Sequence, residues 1–192
     1  MDERLLVEQL KQGDETAFKT IVQTWQDMVY NTALGIVQNE DDADDITQEV
    51  FIQAYQSVTD FKGASKISTW LYRITLGKAL DLEKKKKRKK RFGFVQALFG
   101  SSGEETVPAV EFDHPGVQLE NKENAASLFK ALKQLPDNQR IAFTLHKMEG
   151  RSYSEVAEIM DTTVTAVESL MARGRMNLKK ILSTYYESKF KN

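Results

Sequence analysis

Aromatic and cationic side chains are concentrated in residues 61–91, and their types suit the binding of a nucleic acid. Trp70 and Tyr72 lie beside Arg73, and eight consecutive cations follow at residues 84–91. Aromatic rings stack on unpaired bases, and a cationic groove holds the phosphates of a single strand. The alternative interpretation places Trp70 in a hydrophobic core and makes the lysines a solvated tail. Either way, a helix must position these side chains.

Groups suited to covalent chemistry are scarce in this sequence. It has no cysteine and only two histidines, His114 and His146. No glycine-rich phosphate loop is present. Nucleophilic and acid–base catalysis need constellations that these residues do not supply. We therefore expect no catalytic residue, no cofactor and no enzymatic activity.

The acidic stretch at residues 41–49 is not predicted to bind a metal. Asp41, Asp45 and Glu49 share one face of a helix. Hard cations need several oxygens that converge from a turn or from different elements. A solvated face, or a docking face for a basic partner, is the favoured interpretation.

Charge is distributed unevenly, although the net charge is only −1. Residues 1–83 carry a net charge of −8, residues 84–91 carry +8, residues 92–127 carry −5, and residues 128–192 carry +4. A polyanion is attracted to the basic segments and repelled by the acidic N-terminal segment, which therefore needs a different partner. No run approaches the roughly 18 apolar residues of a membrane span. The first residues lack a signal-peptide pattern, so we expect a cytoplasmic protein that is not membrane-embedded.

Apolar residues at helical spacing predict four helices and one compact bundle in the first half of the chain. The first helix covers about residues 3–12, with Leu5 among its buried residues. The fourth helix covers about residues 70–84, and Ser68 or Thr69 is expected to cap it.

Composition divides the chain into three parts. Residues 92–118 hold four of the ten glycines and two of the three prolines, without helical periodicity. We interpret them as a flexible linker between a domain at residues 1–91 and a domain at residues 119–192. The predicted fold is all-α, with two small helical domains.

The second domain ends in the pattern of a helix-turn-helix. Ser152 and Glu155 match a capping box, Asp161 and Thr162 form a turn, and a long helix follows with a buried stripe from Val164. The second helix of such a motif enters the major groove of DNA. Its outward positions are Thr165, Ala166, Glu168, Ser169, Ala172 and Arg173, with Arg175 as a further cation for phosphates. The alternative is an ordinary helical hairpin with a solvated face.

Several motifs closely resemble those of the extracytoplasmic-function sigma factors of bacteria. They are DADDITQEVFIQAY at residues 42–55, FKGASKISTWLYRI at residues 61–74, and the series LPDNQRIAFTL, EGRSYSEVAEIM and TAVESLMARGRMNL within residues 135–178. The resemblance implies a sigma-two-type bundle and a sigma-four-type helix-turn-helix domain. It also implies a protein that binds core RNA polymerase, recognises two promoter elements and melts DNA.

The resemblance further implies a partner for each group of residues. The β′ clamp of bacterial core RNA polymerase would contact Asp45, Gln48, Glu49, Ile52 and Gln53. The melted minus-ten strand of promoter DNA would contact Lys62, Lys66, Ser68, Thr69, Trp70, Arg73 and Lys78. The minus-thirty-five duplex would contact Thr165, Ala166, Glu168, Ser169, Arg173 and Arg175. The β flap of the polymerase and an anti-sigma factor are further expected partners.

The chain departs from the pattern of the family at three positions within the segments expected to bind DNA. Many members carry Asn where this chain has Gly77, and Lys or Arg is usual at the positions of Glu168 and Leu170. Two other classes of protein remain open as alternatives. One is a stand-alone helix-turn-helix regulator that binds duplex DNA without polymerase. The other is an adaptor that makes only protein contacts.

Overall fold

A computed structural model describes residues 2–99 and 122–190, which form an all-α fold, as predicted. The helices of the first half are α1 Glu3–Lys11, α2 Glu15–Val37, α3 Glu40–Ser57 and α4 Ile67–Phe99, with a 3₁₀ turn at Val58–Asp60. The helices of the second half are α5 Lys122–Lys133, α6 Asp137–Phe143, α7 Tyr153–Ile159 and α8 Val164–Phe190, with a π-helical turn at Thr144–Met148. No helix in the described residues is long and apolar enough to cross a membrane.

Side-chain caps determine where the first three helices begin. Asp2 and Asp14 accept backbone N–H groups from the first turns of α1 and α2. Asn39 does the same for α3, with its Oδ1 2.8 Å from the amide nitrogen of Asp42. Each cap pairs a donor that the helix itself leaves unpaired, and the two carboxylates also interact favourably with the helix dipole.

The core of the first half forms around α2, which packs against both α3 and α4. Ile21 and Val29 of α2 are fully buried. In α1, Leu6 and Leu10 are buried, whereas Leu5 is 58% exposed. The prediction that Leu5 is buried is therefore wrong, because the helical period turns it away from the face that contacts α2.

The start of α4 differs from the prediction. The helix begins at Ile67, so Ser68 and Thr69 lie inside its first turn and neither is the capping residue. Lys66, which precedes the helix, has no acceptor in its side chain. Instead the Glu3 carboxylate of α1 accepts the N–H group of Ile67 at 3.0 Å.

The basic run at residues 84–91 is part of α4 and not a tail. Lysine and arginine have good helix propensity, and acids on neighbouring helices offset the mutual repulsion of the cations. Lys86 pairs with Asp42 of α3, and the Lys87 Nζ lies 3.2 Å from the Asp137 Oδ1 of α6.

The first residues of the predicted linker, 92–99, continue α4 as a helix. The remainder of that predicted linker, including His114, lies outside the described residues.

The helix-turn-helix has the local structure that the sequence predicts. Ser152 and Glu155 form the capping box reciprocally at the start of α7. Asp161 has a positive φ of 50° in the turn, and the Thr163 Oγ1 accepts the N–H group of Ala166 in α8. Val164 is 42% exposed, so its assignment to the buried stripe is wrong. The buried stripe begins one turn later, at Val167, which is fully buried.

The two halves contact each other in this structure. Helix α4 packs against α7, and α2 packs against the π-helical turn. The Gln38 side chain, at the end of α2, donates a hydrogen bond to the carbonyl oxygen of Phe129 in α5 at 2.9 Å. No feature of the sequence predicted this arrangement.

Candidate nucleic-acid interface

The acidic face of α3 is open to solvent. Asp45, Gln48, Glu49, Ile52 and Gln53 are all exposed. Their spacing of three and four residues places them on one side of the helix, opposite the stripe that packs on α2. Ile52 is 55% exposed and adds an apolar side chain to this face.

Tyr55 extends this face and was not predicted as a site residue. It is 45% exposed, and its ring meets that of Phe18 edge-on with centroids 5.1 Å apart. Its position three residues after Ile52 and its exposed aromatic ring were the signals available in the sequence.

Lys78 lies apart from the other predicted minus-ten residues. Its Nζ is 3.0 Å from the Glu49 Oε2 of α3. The two residues line a cleft of about 1020 Å³ between α3 and α4, together with Lys84, Lys85, Lys87, Arg88 and Arg91 of the basic run. A residue predicted to contact DNA is thus paired with one predicted to contact polymerase.

The loop before α4 forms one wall of a second cleft, of about 800 Å³, and α1 forms the opposite wall. Lys62 and Lys66 of this loop are exposed. Phe61 stacks on Trp70, with ring centroids 4.7 Å apart and an interplanar angle of 28°. Trp70 is half-buried, so part of its ring serves the core and part remains accessible.

Three residues near the start of α4 are engaged by other parts of the chain. Thr69 and Tyr72 are buried, at 6% and 2% exposure. The Arg73 guanidinium donates a hydrogen bond to the backbone carbonyl of Glu158 in α7 at 2.7 Å. Of the predicted minus-ten residues, Ser68 is half-buried and Lys62, Lys66 and Arg73 are exposed.

A partly buried carboxyl group, that of Glu149, lies where α4 meets the second half. The Tyr72 hydroxyl donates a long hydrogen bond of 3.4 Å to the Glu149 Oε2. Burial raises the pKa of Glu149 to about 7, although Arg151 and the Tyr72 hydrogen bond act in the opposite direction. Burial, and then the charge of Glu149, raise the pKa of Tyr72, so the phenol stays a neutral donor.

A second polar contact between the halves is an ion pair that is almost completely buried. Arg140 is 1% exposed and Glu83 is 6% exposed. The Arg140 Nη1 lies 3.8 Å from the Glu83 Oε2, and its Nη2 lies 3.1 Å from the Asp137 Oδ1. The Arg140 Nε is buried without a hydrogen-bond partner among the described residues.

The outward face of α8 is accessible. Thr165, Glu168, Ser169, Arg173 and Arg175 are exposed, and Ala166 is half-buried. The Arg173 Nε donates a hydrogen bond to the Ser169 carbonyl oxygen at 3.2 Å. The first turns of α8 thus present small polar side chains, with two arginines behind them.

His146 contacts neighbouring residues of its own half. The His146 Nδ1 lies 2.8 Å from the Arg151 carbonyl oxygen, and its ring packs on Tyr153 with centroids 4.7 Å apart. In the described ranges, no group of histidines and carboxylates is arranged to hold a metal ion.

Comparison with known proteins assigns this chain to a family. The model for "Sigma-70 region 2" matches residues 21–89, and that for "Sigma-70, region 4" matches residues 125–178. The chain is 32% identical to the ECF RNA polymerase sigma-E factor of Escherichia coli K12 over 175 residues, which covers 91% of each chain. The chain belongs to the extracytoplasmic-function sigma factors. As a sigma factor it directs RNA polymerase to promoters.

Other comparisons agree with this assignment. The sigma factor is 32% identical to the RNA polymerase sigma-H factor of Pseudomonas aeruginosa over 184 residues, or 92% of each chain. Its fold resembles that of CnrH in complex with the cytosolic domain of CnrY, with a TM-score of 0.66 and 24% identity over 95% of this chain and 97% of CnrH. It also resembles the sigma factor RpoE of Bartonella quintana in complex with the anti-sigma factor NepR, with a TM-score of 0.59 and 23% identity over 86% and 96% of the two chains.

The predicted sites of the sigma factor fall into the two matched regions. Region 2 contains the exposed face of α3 and the loop and first turns of α4. Region 4 contains the helix-turn-helix and the outward face of α8. The contacts of Arg73, Tyr72 and Glu83 with the second half therefore join region 2 to region 4.

Proposed function

We propose that the sigma factor divides promoter recognition between a domain at residues 1–91 and a domain at residues 119–192, with residues 92–118 as the connection. The observation that carries the proposal is the solvent-exposed face of α3, where five residues of suitable chemistry point away from the core. Asp45, Gln48, Glu49, Ile52 and Gln53 bind the β′ clamp of core RNA polymerase through this face. Its negative charge suits a protein partner and disfavours DNA.

The loop before α4 and the start of α4 capture the melted minus-ten strand. Lys62, Lys66 and Arg73 hold phosphates, and Trp70 offers part of its ring for stacking. Ser68 and Thr69 both support this surface from the first turn of α4. Ser68 is half-buried, and Thr69 is buried beneath the surface. Lys78 contributes positive charge beside the cleft between α3 and α4, where it is paired with Glu49.

The helix α8 recognises the minus-thirty-five duplex in the major groove. Thr165, Ala166, Glu168 and Ser169 approach the base edges, and Arg173 and Arg175 contact phosphates. The domain that carries α8 also binds the β flap of the polymerase.

Strand capture requires the two halves to separate at α7. In the structure the two halves are in contact, which we call the closed arrangement. There the Glu158 carbonyl oxygen accepts a hydrogen bond from the Arg73 guanidinium, and Glu149 accepts one from the Tyr72 hydroxyl. A bound single strand and α7 would compete for the same side of α4.

The sigma factor carries out no covalent chemistry, and its action rests on binding energy. Polymerase docking supplies affinity, phosphate contacts supply register, and captured bases stabilise the melted state.

The sigma factor acts in the cytoplasm, where bacterial RNA polymerase and promoter DNA are found. An anti-sigma factor is a further proposed partner; its support is the likeness of fold to sigma factors that were solved with such partners.

Run-off transcription tests the proposal directly. Core polymerase without a sigma subunit is incubated with genomic fragments, with and without this protein. We expect discrete new transcripts whose start sites share two upstream elements. The absence of transcripts, together with no retention of polymerase in a pull-down, would instead favour a stand-alone duplex-binding regulator.

A further inference from the structure

We propose that Glu3 is a positioning residue for minus-ten strand capture, because its carboxylate caps α4 and thereby holds the loop that precedes this helix. The inference rests on the proposed function of that loop. Glu3 does not touch DNA in this proposal, and it acts through Ile67.

The contact is a long-range helix cap. The Glu3 Oε2 accepts the backbone N–H group of Ile67, the first residue of α4, at 3.0 Å across 64 residues of sequence. The first N–H groups of a helix have no partner inside the helix. A charged acceptor at that position forms a strong hydrogen bond and also interacts with the positive end of the helix dipole.

The chain offers no local residue for this task. Lys66 precedes the helix and its side chain only donates. Ser68 and Thr69 lie within the first turn, where their backbone is already helical. The end of the loop at residue 66 is therefore determined by a side chain from α1.

The position of Glu3 is itself well determined. Leu6, Val7 and Leu10 anchor α1 to the core and are 7%, 5% and 2% exposed. Asp2 caps α1 and accepts the N–H group of Arg4 at 3.0 Å. Helix α1 is thus a rigid support, and Glu3 projects from its first turn across the cleft of about 800 Å³ to the loop.

The residues that Glu3 holds in place are those proposed to capture the strand. Lys66 precedes the capped amide, and Trp70 closes the first turn with its N–H group 3.1 Å from the Lys66 carbonyl oxygen. Without the cap, this turn would fray and the loop would sample more conformations. The strand would then have to order the loop at the cost of binding free energy.

The test exploits two effects of opposite sign. A carboxylate near DNA repels phosphates, so its removal should strengthen strand binding if Glu3 acts only through charge. A positioning residue has the opposite signature, because its removal weakens strand binding. Glu3→Ala, Glu3→Gln and Glu8→Ala holoenzymes are compared with the parent, by fluorescence anisotropy, for binding to a labelled single strand that carries the minus-ten sequence. Glu8 is a matched control, since it lies on the same helix and its Oε1 pairs with Lys11 at 3.0 Å.

We expect Glu3→Ala to weaken strand binding by about 5- to 10-fold, a loss comparable to that of a helix cap. Glu3→Gln keeps an oxygen acceptor and should recover at least half of the loss in free energy. Glu8→Ala should bind as the parent does, or slightly more tightly. Retention of core polymerase should be the same for all four proteins, as should binding to a duplex that carries only the minus-thirty-five element.

Several results would overturn the inference. Strand binding by Glu3→Ala that equals or exceeds that of the parent would show that Glu3 acts only through its charge. Equal losses in Glu3→Ala and Glu8→Ala would indicate a general effect of α1. If Glu3→Ala does not fold, Glu3→Gln decides the matter, and an effect on polymerase retention as large as that on strand binding would show a purely structural role. If the parent holoenzyme itself does not bind the strand, the proposed function of the loop fails, which is a separate result.

Discussion

Glu83 of α4 and Arg140 of α6 form a buried ion pair across the contact between region 2 and region 4, with the Oε2 and Nη1 atoms 3.8 Å apart. Burial of two charges is costly, and the pair is stabilising only while both partners are present. Separation of the halves would return both groups to water. The pair therefore makes the closed arrangement sensitive to a change at either residue.

Glu83→Gln should open the sigma factor. Removal of one partner of a buried pair costs about 3–5 kcal/mol when the remaining charge has no other partner. Arg140 keeps its contact with Asp137, so we expect a smaller cost here. Separation of the halves relieves this cost by hydrating Arg140. The sequence contains no cysteine, so donor and acceptor dyes can be attached after Gln56→Cys and Lys179→Cys, both at exposed positions. We expect lower energy transfer in the Glu83→Gln protein.

Asp81→Asn is the control for this experiment, since Asp81 is largely exposed and pairs with the nearby Lys84 at 3.4 Å. It should leave the energy transfer unchanged. Equal transfer in the Glu83→Gln protein and the parent would contradict the role assigned to the buried pair.

The closed arrangement should weaken as the pH rises through about 7. Burial raises the pKa of Glu149 to about 7, from an ordinary value of 4.5 that it regains when the halves separate. The closed form therefore binds a proton more tightly than the open form does, and low pH favours it. Its stability should fall between about pH 4.5 and pH 7 and be constant above that range. Energy transfer between the same dyes, followed from pH 5.5 to pH 8, measures the change.

The charged and titratable groups that act on Glu149 are Tyr72 from α4 and Arg151 from the second half. Glu149→Gln removes the group that titrates and should abolish the pH dependence. A pH dependence that persists in Glu149→Gln would assign it to another residue.

The combination of Gln48→Ala with Glu49→Lys should weaken polymerase binding by about tenfold, or ~1.4 kcal/mol. The change reverses a charge and removes an amide from the exposed face of α3. Retention of core polymerase on the immobilised sigma factor measures the effect.

Lys78→Ala separates two explanations for such a loss. Glu49 pairs with Lys78, so a loss could come from the broken ion pair alone. We expect Lys78→Ala to retain polymerase as the parent does. A similar loss in both proteins would show that the ion pair, and not a direct contact of Glu49, is responsible.

The combination of Arg173→Ala with Arg175→Ala should abolish promoter use while polymerase binding is kept. Each lost phosphate contact should reduce the slope of log binding constant against log salt concentration by about 1. Binding of the holoenzyme to promoter duplex at several salt concentrations measures this slope. Lys130→Ala with Lys133→Ala removes the same charge from exposed positions of α5 and should leave the slope unchanged. Equal slopes for the arginine variant and the parent would show that the cationic edge of α8 does not contact DNA.

The sequence by itself determined the local structure of this protein. Ser152 and Glu155 form the capping box that the sequence predicts. Asp14 and Thr163 are likewise local caps, of α2 and of α8. These features depend on residues three or four positions apart, and backbone hydrogen bonding within one turn decides them. The all-α fold and the family follow from the same local motifs.

Tertiary structure alone decided the contacts between distant residues. Three such contacts are the cap of α4 by Glu3, the pairing of Lys78 with Glu49 and the burial of Arg140. Each joins segments whose sequence patterns give no indication that they meet. A charged residue in a sequence is expected at the surface. It is buried only where the packing of two elements supplies its partner and excludes water, and that packing is a property of the whole fold.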